Sequence, residues 1–235
     1  MNSYLNLSNK EKQQYYTFLS SFISENKKNK FEEIILQRTR HLTVVLEDIF
    51  QPHNASAVLR TCDCFGIQDV HIIENRNKYE INPDVAVGSS KWLSLYSYHA
   101  AIYNTVECLR QLKDSGYSII ATTPHKKDFT PESLPLDQKI ALVFGTELEG
   151  LSPHAKAMAD GFVKIPMYGF TESLNISVSA ALLIRSLTER LHNSDISWQL
   201  SESEKLDIKI AWAKNVVKKA DLLEKEFLRK LIPGK

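Results

Sequence analysis

From residue 43 to residue 192, short apolar, β-branched runs alternate with longer amphipathic stretches, and that alternation leaves few folds open. The runs 43–47, 70–73, 117–122, 141–144 and 162–165 read as strands. The stretches 52–65, 99–115 (closed by Gly116), 153–159 and about 175 to 192 read as helices. A strand that is apolar along its whole length has to be buried on both faces. Strands that take turns with helices imply a parallel sheet with helices laid over it. The expected fold class is therefore α/β, a parallel sheet flanked by helices.

The flanks follow a different grammar. Ser8 and Glu11 stand at capping-box spacing ahead of Tyr15, Phe18, Leu19, Phe22 and Ile23, which predicts a helix of about four turns ending near the polar run 25–30. A shorter periodic stretch, 31–36, predicts a second helix. Ser203 opens a last predicted helix with Leu206, Ile210, Ala213, Val217, Phe227 and Leu231 on its apolar side and a lysine-rich polar face. The expected organisation is a helical basic extension over 1–41, an α/β domain over 42–194 and a basic helical extension over 195–235.

The net charge of +1 conceals a division along the same lines. Residues 1–40 carry seven basic and four acidic side chains, residues 195–235 nine and seven, and residues 41–194 thirteen and seventeen. Basic ends around an acidic centre suit a polyanion held by the ends while chemistry happens between them; solvated lysine-rich helices would give the same pattern. No apolar run approaches the ~20 residues that span a bilayer, and the start MNSYLNLSNKEKQQYY lacks a secretory pattern. Cys62, Cys64 and Cys108 are odd in number and suggest no disulfide framework. A cytoplasmic protein without a membrane attachment is expected.

Open parallel sheets bind ligands beyond the carboxyl ends of their strands, and the loops at those ends hold the unusual residues. After 43–47 comes Gln51-Pro52-His53-Asn54, leading into a helix that carries Arg60. Asn54 could cap that helix and Arg60 could sit in a surface ion pair; both could equally converge on a ligand. After 141–144 comes Gly145-Thr146-Glu147-Leu148-Glu149-Gly150, where a glycine permits close backbone approach and the acids would also favour the following helix start. After 162–165 comes a loop with Ser173 and Asn175, leading into an almost wholly apolar helix. Polar groups at that buried mouth need partners, whether backbone or ligand. Neither a G-x-G-x-x-G nor a P-loop pattern is present, which removes the main support for dinucleotide and P-loop readings.

Taken together, PHNASAVLRTCDCFG, LVFGTELEGLS and KIPMYGFTESLNISVSAAL resemble the three ordered motifs of the SpoU-type RNA ribose 2′-O-methyltransferases, within the SPOUT superfamily, over about residues 42–192. The resemblance implies a carboxyl-terminal trefoil knot, which no sequence pattern alone would suggest. It also implies S-adenosylmethionine as cofactor, and a homodimer in which each active site borrows from its neighbour. By motif match, Thr122, Gly145, Ile165 and Leu174 are expected to contact the cofactor. Asn54, Arg60, Glu147, Ser173 and Asn175 are expected to form the polar catalytic set.

The implied chemistry is an in-line displacement of the sulfonium methyl by a ribose 2′-oxygen. No metal is expected, in keeping with a sequence that has no His/Cys cluster at ligand spacing. The residue matching Arg60 is read in the family as essential, as base or as electrostatic stabiliser. A guanidinium with a pKa above about 12 keeps its proton, so steadying a developing alkoxide or gripping a phosphate suits it better. Ser173 and Asn175 would shape the loop and bond to cofactor or ribose, and Glu147 would hold that network. The short helical front, the basic tail helix and the stretch Ser197-Trp198-Gln199-Leu200-Ser201 resemble the family members that methylate guanosine-18 of transfer RNA. Competing expectations are the same chemistry on ribosomal RNA or another tRNA nucleoside, a non-catalytic RNA-binding protein of this fold, and a small-molecule nucleotide-binding α/β protein.

Overall fold

The structure, a computed structural model, describes residues 3–79, 86, 88–123 and 128–231, which divide into two compact units. One unit runs from residue 39 to residue 198. The other is assembled from both ends of the chain, residues 1–38 and 199–235.

The larger unit is built on a six-stranded sheet of β1 (Leu42–Glu47), β2 (Asp69–Ile73), β3 (Ser94–Tyr98), β4 (Tyr117–Thr122), β5 (Lys139–Phe144) and β6 (Gly161–Val163). The spatial order is β3-β2-β1-β5-β4-β6 and every pairing is parallel. β1 and β2 are buried at every position, as their unbroken apolar character requires. In register, Val44 lies between Val70 and Leu142, and Ile120 between Leu142 and Gly161.

Alternation along the strands sorts the core into two layers. Val44, Leu46, Leu142 and Phe144 point to the face covered by α3 (Pro52–Cys64) and α6 (Ile176–His192). Val45, Ala141 and Val143 point to the opposite face, covered by α4 (Asn104–Asp114) and α5 (Pro153–Met158). Cys62 and Cys108 are core residues, one in each layer, while Cys64 is exposed.

The differences from the sequence reading have local causes. The predicted helix 99–115 starts later, at Asn104, and ahead of it lies an edge strand, Ser94–Tyr98, whose half-exposed SLYSY pattern lacks the apolar run by which the inner strands announce themselves. The predicted strand 162–165 is instead Gly161–Val163, with Pro166 close behind.

The smaller unit holds α1 (Asn9–Ser20), α2 (Glu25–Ile35), α7 (Glu202–Val216) and α8 (Ala220–Leu231) around Tyr15, Leu19, Phe31, Ile210 and Trp212. The Ser8/Glu11 capping box is formed. A second one, Ser201/Glu204, starts α7. The polar run 25–30 lies inside α2 rather than ending α1, because Ser24 turns extended and restarts the helix. The single helix expected after Ser203 is two, interrupted where Val217 is extended and Lys219 takes a left-handed φ of 57°. Ions at its interior are paired: Lys12 with Asp207 at 2.7 Å, and Lys214 with the buried Glu224. Among the described residues no helix is long and apolar enough to cross a membrane.

Candidate active site

The direction of winding reverses between β1 and β5, since β2 and β3 lie on one side of them and β4 and β6 on the other. Such a switch point leaves a crevice at the carboxyl ends of the strands. A cavity of about 480 Å³ opens there, a size in the range of small-molecule sites. Its wall draws on the loops after β1, β4, β5 and β6 and on the first turns of α6.

Eight of the nine residues singled out from the sequence line it: Asn54, Thr122, Gly145, Glu147, Ile165, Ser173, Leu174 and Asn175. Asn54 sits in the first turn of α3, which Pro52 starts, and it is 2% exposed. Its side chain does not cap the helix; its amide nitrogen donates to Glu147 Oε1 at 2.6 Å and to Gln51 Oε1 at 3.3 Å. Its Oδ1 accepts from Asn175 Nδ2 at 3.2 Å. Glu147 can only accept while ionised, so it fixes which end of the Asn54 amide faces it. Asn175 has two jobs: it is the N-cap of α6, accepting from the Ser177 backbone N–H at 2.8 Å, and it buttresses Asn54. Three chain segments far apart in sequence thus meet in one relay, Glu147–Asn54–Asn175.

Thr122 donates its hydroxyl to Val143 O at 2.9 Å and so ties the ends of β4 and β5 together at the cavity rim. Gly145 is where the wall is tightest. A Cβ there would stand 2.3 Å from the Gly150 carbonyl carbon and 2.4 Å from Leu151 N. The ring it leads into closes on itself through two backbone bonds of 3.1 Å between Thr146 and Gly150. Ile165 is half-buried against the core, while Ser173 and Leu174 are on the open side of the cavity.

Arg60 stands apart. It is exposed on α3, does not line the cavity, and makes no hydrogen bond or ion pair among the described residues. Sequence reasoning also passed over residues that do line the cavity. Gln51 bonds to Asn54, and Ser179 follows Asn175 by one helical turn, a spacing that marks a shared face. Among the described residues no group of three His, Cys, Asp or Glu side chains could hold a metal ion.

A parallel α/β sheet with a cavity at its switch point, walled by a tight glycine ring and a Pro-Met loop, defines an α/β protein with a small-molecule site at the carboxyl ends of its strands. The chain belongs to the SpoU rRNA Methylase family, whose model matches residues 41–185. It is 46% identical over 206 residues to a tRNA (guanosine(18)-2'-O)-methyltransferase of Borreliella burgdorferi, covering 88% of this chain and 93% of that one. It is 35% identical to the Thermus thermophilus protein of the same name, covering 68% of this chain and 81% of that one. Among solved structures, the A. aeolicus TrmH/SpoU tRNA modifying enzyme is similar at a TM-score of 0.73 and 31% identity, over 83% of this chain and 98% of that one.

Proposed function

We propose that this protein is a cytoplasmic S-adenosylmethionine-dependent methyltransferase that methylates the ribose 2′-hydroxyl of guanosine-18 in transfer RNA. The observation that carries the reading is the Glu147–Asn54–Asn175 relay inside the switch-point cavity, in a chain of this family. The names of the Borreliella and Thermus relatives support the choice of RNA and nucleoside. The residues present fit the cofactor: the cavity has adequate volume, and Gly145, lacking a side chain, lets the backbone of Gly150 and Leu151 close the ring that walls it.

When bound, S-adenosylmethionine supplies a methyl group on a positively charged sulfur that an oxygen nucleophile can take. Thr122, Gly145, Ile165 and Leu174 would hold it. Asn54, fixed in orientation by Glu147 and Asn175, would help place the ribose so that its oxygen approaches in line. Glu147 keeps a second oxygen, and Ser173 a hydroxyl, uncommitted among the described residues, available to cofactor or ribose. The loops that wall this cavity would follow the knotted path that membership of the family implies.

A second copy of the chain would complete the site. Leu148, Tyr168 and Phe170 are almost fully exposed, and the apolar Val178 and Leu182 are half-exposed on α6. Apolar surface of this kind marks an interaction face. The partner subunit's Arg60 would then reach the reacting oxygen. The helical unit would supply RNA affinity through its lysines, with Lys218, Lys219, Lys225 and Arg229 all exposed. Phosphate contacts release counterions, so tRNA affinity is expected to fall steeply as salt rises while cofactor affinity barely changes. Equal salt slopes for both ligands, measured by filter binding and calorimetry, would count against this division.

The reading as a whole is tested by mass spectrometry of nucleosides from unmodified tRNA incubated with enzyme and cofactor. A single 2′-O-methylguanosine, lost when position 18 of the tRNA is changed, is the expected result. Methylation of ribosomal fragments but not tRNA would move the substrate, and no ribose methylation of either would end the proposal.

A further inference from the structure

The last two residues before the β1–α3 loop are both buried carboxylates, Glu47 and Asp48, and neither lines the cavity. Each reaches toward the ring 145–150 from a different side. Glu47 accepts from the Ser152 backbone N–H at 2.9 Å and from its hydroxyl at 2.6 Å, and from the Thr105 hydroxyl at 2.6 Å. It therefore pins the outgoing end of the ring, where α5 starts.

Asp48 works at one remove. It takes a left-handed φ of 57°, unusual outside glycine though tolerated best by Asp and Asn. That conformation turns its carboxylate onto the chain after β2. Oδ1 accepts the backbone N–H groups of Asn75 at 3.0 Å, Arg76 at 2.8 Å and Asn77 at 2.8 Å. Oδ2 accepts from Arg76 Nε at 3.2 Å. Burial pushes the Asp48 carboxyl up, but these donors outweigh it and hold the group below the usual carboxylate range. The far side of the same guanidinium grips Glu149, with Nη2 to Oε2 at 2.5 Å and Nη1 to Oε1 at 3.3 Å.

Glu149 lies in the self-closed ring two residues from Glu147, and both line the cavity. Because the ring closes on itself between glycines 145 and 150, it could tilt as one piece unless something outside holds it. Its outside side-chain attachments among the described residues are Glu147 to Asn54 and Glu149 to Arg76. An exposed ion pair alone contributes little. This one differs in being bidentate, with its arginine seated on a buried carboxylate, the arrangement in which geometry adds to charge.

We propose that Arg76 is a positioning residue for methyl transfer: seated on Asp48, it grips Glu149 and holds the ring in the register in which Glu147 meets Asn54. The proposal rests on the methyltransferase reading above. Arg76 does not line the cavity; it acts through the ring.

Full-length Arg76→Ala, Glu149→Ala, the double variant and Arg76→Lys are compared with wild type for S-adenosylmethionine affinity by calorimetry, tRNA affinity and melting temperature. Both positions are exposed, and Asp48 keeps its three backbone donors in every variant, so folding is expected to survive. Each alanine variant should bind cofactor about fivefold more weakly, and the double no more weakly than either single, the signature of one shared interaction. Arg76→Lys should recover part of the loss, since it keeps the charge but not the fork. tRNA affinity should stay at the wild-type value. A lowered melting temperature with unchanged cofactor affinity would leave Arg76 a structural residue and overturn the proposal. Weakened tRNA binding with cofactor binding intact would make it a phosphate contact and overturn it equally. Wild-type protein that bound no S-adenosylmethionine would instead remove the reading beneath it.

Discussion

Gly145→Ala is expected to weaken S-adenosylmethionine binding by tenfold or more, about 1.4 kcal/mol at the least, and to slow methylation at least as much. The three nearest atoms the new Cβ would meet are all backbone: the Gly150 carbonyl carbon at 2.3 Å, its oxygen at 2.4 Å and Leu151 N at 2.4 Å. No flexible side chain can give way, so the Thr146–Gly150 pair has to open. Opening it moves Glu147 off Asn54 and reshapes the cavity wall in one step. The control is Gly169→Ala, in the loop that leads to α6, where nothing lies within 4 Å of an added Cβ and no positive φ strains it. That variant should bind cofactor as wild type does. Calorimetry on both, with melting curves to confirm folding, decides it; near wild-type affinity in Gly145→Ala would remove the ring from the cofactor site.

What the sequence made legible follows from what burial leaves in a primary structure. β1 and β5 are covered on both faces by the two helix layers, so their apolar runs had to be continuous and were readable. β3 is a partly exposed edge strand, and its mixture of Ser and Tyr carried no such mark. The break between α7 and α8 was equally silent, because it is made by Lys219 in a left-handed conformation and not by a glycine or proline. The joining of the chain's two ends into one unit rests on pairs such as Lys12–Asp207, whose sequence separation hides them.

The site divides in the same way. The loops beyond the strand ends were identifiable as places for chemistry from topology alone, and Asn54, Glu147 and Asn175 do meet there. Asn54 read equally well as a helix cap, and Asn175 as a residue partnered by backbone at a helix mouth. Only the fold separates them, since Asn175 caps α6 while Asn54 spends its amide on Glu147. Glu47 and Asp48, at the end of β1, carry no mark of a role in the sequence. Their work depends on Thr105, Ser152 and the turn 75–77, partners that nothing at the level of spacing could have selected.

Arg60 remains the residue whose substitution should cost the most. Arg60→Ala is expected to cut methyl transfer by two orders of magnitude or more, about 2.7 kcal/mol in the barrier. Cofactor affinity should change little, because Arg60 does not line the cavity of its own chain. That separation makes a stricter test possible. If the partner subunit's Arg60 serves the site that holds Glu147, then Arg60→Ala and Glu147→Gln are defects in different halves of one composite site. Each homodimer would be inactive. Mixed under conditions that exchange subunits, half the dimers would be heterodimers, each with one site carrying both intact residues. Activity should therefore return to about a quarter of the wild-type value, as random assortment of a two-fold dimer requires. Arg60→Lys separates the roles further, since a lysine keeps the charge and loses the planar fork. Partial activity would favour stabilisation of the attacking oxygen, and near-complete loss would favour a bidentate grip on phosphate. Light scattering supplies the premise: a monomeric mass at micromolar concentration would rule out the shared site. Folded Arg60→Ala with near wild-type activity would remove Arg60 from catalysis, whatever the oligomeric state.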